Sequence, residues 1–333
     1  MSQTSSIALI VATKGRAQEL CRLFESLAQQ DADGFEVIVV DQNQDQRLAP
    51  TIAAFQQRFP IRHLRQAGSG ASRARNLGLA AVSADIVGFP DDDSVYPPDT
   101  LARVRRFFAE HPDRQGLIAR VLDLEGDGDA YASADAVAAG DVDYWGAYVL
   151  GINHAMFFRA ETAMGLAFDE QMGVGAATPW RSAEDPDYLF QALDAGARVH
   201  YDPKLRVRHP RPEDNRGLAV LFRRELSYGL GNGYLIAKHR LPIGLKLTAG
   251  TAYYQQVVRC ILTGRPRRAL VFLGAGVGTS IGYGGGLLRR LQVWASGSGR
   301  MPAAPVQPPV AYDRGDAGAN DRQAPTPGDG RSA

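Results

Sequence analysis

An α/β fold is predicted for roughly the first 210 residues of this 333-residue chain. It is a Rossmann-like, mostly parallel sheet flanked by helices, with a helical C-terminal extension behind it. Three observations predict it. Short apolar runs alternate with stretches whose apolar residues recur at helical spacing, the pattern of parallel strands joined by crossover helices. The runs are continuous rather than alternately polar, as expected of strands covered on both faces. Beyond residue 203 the charge changes sign and the alternation stops.

Residues 7–12 form the first strand, and the turn at residues 13–16 leads into a helix whose Leu20, Leu23, Phe24 and Leu27 share one face. Residues 35–40 are a second strand ending in Asp41, Gln42 and Asn43. A helix over 49–59, a short strand over 61–64, a helix over 72–81 and a strand over 86–89 follow. That last strand runs into Asp91, Asp92 and Asp93 and then into Pro97 and Pro98, so it ends in a sharply turned acidic loop. A helix over 98–111 and a strand over 117–124 come next, and residues 125–129 read as a turn. Residues 148–159 read as strand, 168–181 as a glycine-rich loop, 182–195 as helix and 198–201 as strand. The basic segment 204–210 closes this part.

Residues 218–238 carry apolar and arginine residues at mixed spacing, with the glycines at 229, 231 and 233 as a break. Residues 269–288 contain no charge and are long enough to span a bilayer, but seven of them are glycine and arginines flank both ends. Glycine-rich helices are weak unless packed, so an interfacial or re-entrant segment is expected in preference to a span or a buried soluble helix. From residue 296 onward proline, glycine and polar residues dominate without periodicity, and disorder is expected.

The net charge of +1 conceals an asymmetry. Residues 1–203 hold 17 Lys+Arg against 29 Asp+Glu, a net −12, whereas residues 204–300 hold 17 against 3, a net +14. The basic part favours phosphates or anionic lipid. No nucleic-acid reader motif accompanies it, so nucleic acid is not an expected partner. Two distant cysteines give neither a disulfide framework nor a metal-binding spacing. The first residues lack a signal-peptide pattern, so a cytoplasmic catalytic part is expected. No serine or cysteine stands in a recognisable arrangement with an orienting histidine, which argues against nucleophilic catalysis.

Three adjacent carboxylates repel one another and are tolerated cheaply only in open solvent or around a cation. Hard oxygen ligands at that density suit Mg2+ or Mn2+, above all one that also holds phosphate oxygens. Taken alone, the triplet is equally a solvated turn that caps the next helix. Glu184, Asp185 and Asp187 have the same two readings, as a capped helix start or as acids that carry chemistry.

Seven pieces in order resemble the family 2 glycosyltransferases with the GT-A nucleotide-sugar-binding fold, over about residues 6–210. They are Leu9-Ile-Val-Ala-Thr-Lys-Gly-Arg16, Glu36-Val-Ile-Val-Val-Asp41, Gly70-Ala-Ser-Arg-Ala-Arg-Asn-Leu-Gly78, Asp91-Asp92-Asp93, Gly151-Ile-Asn153, Phe168-Asp-Glu170 and Glu184-Asp185-x-Asp187. The resemblance implies a metal-dependent, inverting transfer from a nucleotide-sugar donor to a hydroxyl of a saccharide acceptor, for which a lipid-linked saccharide is natural. It implies that Asp91 and Asp93 hold Mn2+ or Mg2+ against the donor diphosphate, with Asp92 in the same loop and His209 available to complete the site. Asp41 lies where the family meets the nucleoside, and Gln42 replaces the usual second acid. Thr13, Lys14 and Arg16 line the same pocket. Arg73 and Arg75 are two residues apart on a helix, so at most one of them reaches phosphate or base. Asp185 is the implied base, with Glu184 beside it, and Trp180 either stacks on a sugar or packs. The implied division is a catalytic domain over 1–210, a basic and apolar helical membrane-associating region over 211–295 that meets an anionic membrane at its inner face, and a tail over 296–333. A noncatalytic nucleotide-sugar-binding or assembly protein is the alternative that Gln42 permits.

Overall fold

The computed structural model describes residues 5–131, 137–211, 217–239, 241 and 243–295; the expected tail at 296–333 lies outside the described residues. Eight strands form one sheet in the order β3-β2-β1-β4-β7-β5-β8-β6. The first half is built as the alternation predicts, with β1 (Ile7–Thr13), α1 (Ala17–Leu27), β2 (Phe35–Asp41), α2 (Ala49–Phe55), β3 (Ile61–Arg65), α3 (Ala71–Leu79) and β4 (Ile86–Gly88). β1 pairs in parallel with both β2 and β4, and β2 with β3. Ile7 to Val11 and Val37 to Val40 are fully buried, which is why these strands read as unbroken apolar runs.

The second half is α4 (Thr100–Glu110), β5 (Gly116–Asp123), β6 (Gly140–Asp141), α5 (Tyr144–Leu150), a 3-10 turn at Asn153–Ala155, β7 (Met156–Arg159), α6 (Ala160–Met164), α7 (Glu184–Asp194) and β8 (Val199–His209). β7 runs antiparallel to β4 and β5, β8 runs parallel to β5, and β6 runs antiparallel to β8. Two expectations are corrected here. Residues 148–159 are not one strand. Asp143 accepts the Gly146 amide at 2.8 Å and starts a helix that overrides the strand preference of its aromatic residues. The last strand continues from Tyr201 to His209, with Leu205 and Val207 buried between Lys204, Arg206 and Arg208.

Three helices complete the described chain: α8 (Leu218–Lys238), α9 (Ile243–Leu262) and α10 (Pro266–Ala295). The expected break at the glycines 229–233 is absent, because those glycines are an interface. A Cβ at Gly229, Gly233, Gly278 or Gly282 would collide with backbone of the facing helix, so α8 and α10 lie against each other along their glycines. Residues 269–288 are thus part of a longer helix with one packed face. Leu270, Leu273, Ile281, Leu288, Leu291 and Trp294 stand exposed on it.

A buried ionic cluster ties α8 to the sheet layer. Lys238 Nζ donates to Asp169 Oδ2 at 2.7 Å and lies 2.8 Å from Asp187 Oδ1. His239 Nε2 is 2.8 Å from Asp187 Oδ1, and its Nδ1 is 3.2 Å from Asp194 Oδ2. Burial alone would lower the His239 pKa, but its bonds to Asp187 and Asp194 raise it above 6.5. A raised folded-state pKa contributes stability that is fully present below pH 6.5 and is lost as pH rises through the folded value. The thermal midpoint is therefore expected to fall from about pH 6 to about pH 8.5, and His239→Gln to flatten that slope. Equal slopes in the two proteins would remove His239 as the cause.

Candidate functional site

The carboxyl ends of β1, β2, β4 and β8 and the first turn of α7 meet above the sheet, the position where open α/β sheets bind ligands. The acidic loop after β4 is divided in its allegiance. Asp92 turns toward β1, where it accepts the Thr13 hydroxyl at 2.7 Å and Arg16 Nη1 at 3.0 Å. Burial raises its pKa to about 6 against the pull of Thr13 and Arg16. Arg16 also pairs with Asp93, and its side chain is 49% exposed.

Asp91 and Asp93 turn toward two histidines. Asp91 Oδ2 lies 3.1 Å from His154 Nδ1, and Asp91 Oδ1 accepts Asn153 Nδ2 at 2.7 Å. Asp93 Oδ1 lies 3.1 Å from His209 Nε2. The rings of His154 and His209 stack at 4.4 Å with a 9° interplanar angle. Burial opposes ionisation of Asp91, yet its bonds to His154, together with Arg75 and Asn153, hold its pKa far below the usual carboxylate range.

His209 Nδ1 is 2.8 Å from the Pro210 carbonyl, and the bond of its Nε2 to Asp93 raises its pKa although burial opposes this. A proton, or a cation in its place, joins Nε2 to that carboxylate. Asp91, His154 and His209 offer ligand atoms that all lie within 4.8 Å of one another, and His154 Nε2 is buried without a hydrogen-bond partner. A nitrogen and oxygen donor set of this kind fits Mn2+ and accommodates Mg2+ less readily.

Arg75 is the hub of the other half. Its guanidinium is buried 3.3 Å from each of Asp91 Oδ1, Glu184 Oε1 and Asp185 Oδ1. Burial would lower its pKa, but the three carboxylates raise it, so it is charged at every working pH. Burial pushes the Asp185 carboxyl well up, and Glu184 and Asp91 add to this against the attraction of Arg75. Ala183, just before Glu184, sits in the left-handed region at φ 64°, and this sharp turn presents both acids to the crevice.

The turn after β2 is built on Asp41, which is 1% exposed. Its Oδ1 accepts the Asn43 amide and side chain, both at 2.8 Å, and its Oδ2 is 3.0 Å from His63 Nε2. Gln42 is spent on structure, accepting the Gly70 amide at 2.8 Å. Arg73 donates to the Ala67 carbonyl at 2.7 Å, outside the acidic cluster, and Lys14 is exposed on the turn after β1. Trp180 is packing: it stacks on Tyr234 at 4.9 Å and fills the space beside Gly285.

Sequence reasoning missed His154 and His63. His154 follows the Gly151-Ile152-Asn153 piece directly, but reading residues 148–159 as strand hid the turn that aims it. His63 lies in the third strand, where alternation would have placed it on the same side as Arg65.

The description Glycosyl transferase family 2 belongs to the family model that matches residues 8–145. An uncharacterized glycosyltransferase of Haemophilus influenzae is 31% identical over 108 residues, 32% of this chain and 36% of that protein. The beta-monoglucosyldiacylglycerol synthase of Synechocystis sp. is 33% identical over 109 residues, 31% of this chain and 23% of that protein. The chain thus spans only about a third or less of the length of these curated relatives. Among solved structures, S. aureus TarS 1-349 in complex with UDP-GlcNAc has a TM-score of 0.56 at 18% identity, covering 88% of this chain and 92% of that one. The mannosyltransferase PcManGT from Pyrobaculum calidifontis, in complex with GDP-Man and Mn2+, has a TM-score of 0.56 at 16% identity, covering 89% and 80%. At such identities the likeness is one of fold, and it bears out the GT-A expectation.

Proposed function

We propose that this chain, a member of glycosyl transferase family 2 across residues 8–145, is a glycosyltransferase that moves a sugar from a nucleotide-sugar to an acceptor hydroxyl with inversion. The observation that carries the reading is the junction made by Arg75, which joins the Asp91–histidine group to the Asp185 carboxyl within one crevice. Two fold neighbours, one in complex with UDP-GlcNAc and the other with GDP-Man and Mn2+, support a nucleotide-sugar donor.

In this reading Asp41 and His63 receive the nucleoside, and Thr13 and Arg16 orient Asp92 beneath the donor. Asp91, His154 and His209 hold the divalent cation, with Asp93 against His209. When bound, that cation supplies positive charge to the oxygens of the leaving diphosphate. Asp185 accepts the proton of the acceptor hydroxyl. Burial raises its proton affinity, and Arg75 stabilises the carboxylate that must stand ready to take the proton. Glu184 and Arg75 fix its position.

The exposed apolar face of α10, continued by Ile243, Leu247, Val258, Ile261 and Leu262 on α9 and flanked by Arg265, Arg267, Arg268, Arg289 and Arg290, suits the surface of an anionic membrane. In this reading the crevice meets a lipid-linked saccharide at the cytoplasmic face. α10 is the one described helix long and apolar enough to cross a bilayer, and its packed glycine face favours lying on the membrane instead.

The test is nucleoside diphosphate release from a panel of UDP- and GDP-sugars with and without Mn2+. Release is expected to depend on Mn2+ and to drop at least about tenfold in Asp93→Asn. Equal release by the two proteins would remove Asp93 from the site, and release independent of Mn2+ would remove the metal role of this loop.

A further inference from the structure

A second concave site lies behind the acidic loop. Its volume is about 850 Å3, and Arg22, Arg103, Lys204, Arg206 and Arg208 line it against only two carboxylates, Glu25 and Asp99. Three of the five, Lys204, Arg206 and Arg208, come from the basic segment that begins at residue 204, and they meet Arg22 and Arg103 from the acidic part of the chain. Two of the five cations are engaged. Arg103 Nε is 2.6 Å from Asp99 Oδ2, and Arg208 Nη1 donates to the Asp123 and Gly126 carbonyls at 2.8 and 2.7 Å. Arg22, Lys204 and Arg206 have no ion pair among the described residues.

Lys204 and Arg206 point the same way for a simple reason: they alternate along β8 with the buried Leu205 and Val207. Arg22 faces them from α1 across Val95, Tyr96 and Leu122. Three unneutralised cations converging on one concavity create a standing positive potential that solvation alone does not require. The volume is typical of sites for small organic ligands and exceeds what one inorganic phosphate fills. Guanidinium and ammonium groups together match phosphate oxygens.

We propose that this cavity binds a phosphate ester, at a place separate from the donor crevice. Its wall is shared with the metal loop. Val95 N donates to Arg208 O at 2.9 Å and Arg208 N to Val95 O at 2.8 Å. This bridge stands two residues from Asp93 and one from His209. An occupant that pulls on Arg208 therefore acts on the backbone that positions both.

The inference does not depend on the transferase reading. It is tested by calorimetric titration of the full chain with sodium pyrophosphate in EDTA at low ionic strength, where the carboxylates of the donor crevice repel the probe. Wild type and Asp93→Asn are expected to bind alike, and Lys204→Gln/Arg206→Gln to bind at least about tenfold more weakly. Both replaced residues are exposed, so thermal midpoints should match; Arg22→Gln, on a different element, is the second variant, with weakening of severalfold. Absence of binding by wild type, unchanged affinity in these variants, or loss in Asp93→Asn would overturn the site. Flotation with phosphatidylglycerol vesicles identifies the source of the phosphate. Weaker flotation of the double variant assigns it to a lipid headgroup, and equal flotation with lost pyrophosphate binding assigns it to a soluble phosphate ester.

Discussion

Asp185→Asn is expected to lower sugar transfer about 10²- to 10⁴-fold while leaving nucleotide-sugar affinity nearly unchanged. The amide has the shape of the carboxyl but cannot accept the proton of the acceptor hydroxyl. The amide needs no counter-charge in this buried setting, so the fold should tolerate it. Arg75 keeps two of its three carboxylates, Asp91 and Glu184, and remains paired. The measurement is steady-state transfer alongside donor binding by calorimetry. A loss confined to kcat supports the base, a parallel loss of donor affinity points to a collapse of the Arg75 junction, and undiminished transfer places the base elsewhere.

Lys238→Met is expected to destabilise the protein by about 3–5 kcal/mol, because it removes one partner of a buried ion pair and leaves the other without compensation. The side chains of Asp169 and Asp187 are only 6% and 0% exposed, so neither can recover its hydration. Burial alone would lower the pKa of Lys238, yet Asp187 and Asp169 raise it, so the ammonium is a fixed charge in the folded protein. The same two partners matter to Asp187, whose pKa is lowered to about 2 against burial by Lys238 and His239. A drop of the thermal midpoint by roughly 5–10 °C is the expected reading. Adding Asp187→Asn to Lys238→Met should restore part of it, since the stranded charge is then gone. A double variant no more stable than the single one would mean that packing, not charge, holds α8 to α7.

Much of the fold was legible because it rests on strands buried on both faces. β1 and β2 have no solvent side, so their apolar runs admit no other reading. β8 was read too short for the opposite reason. Its second half lies beyond β6, and a strand with one charged side looks like a solvated segment when only continuous apolar runs are sought. The aromatic residues of α5 favour strand by local preference, and a single cap at Asp143 decides otherwise. The glycines of α8 and α10 mark a break in an isolated helix and an interface in a packed pair, a distinction that depends on a partner about 45 residues away in the chain.

The acids of the candidate site were legible as types in order, and their roles were not. Nothing local says that Asp92 turns to Thr13 while its neighbours turn to histidines. That choice is made by the pairing of Thr13 with Asp41 across β1 and β2 and by the bridge between Val95 and Arg208. His154 could not be seen without knowing that a turn, not a strand, precedes β7.

The Lys238 cluster also sets a schedule for biosynthesis. Asp187 and its ammonium partner are 51 residues apart in the chain. At about 5–20 residues per second, a ribosome makes them about 3–10 s apart. During that interval Asp187, on the buried face of α7, lacks the ammonium that compensates it, whereas Arg75, which pairs with Glu184 and Asp185, is already made. Asp187 is therefore among the last groups of the sheet layer to reach its final setting.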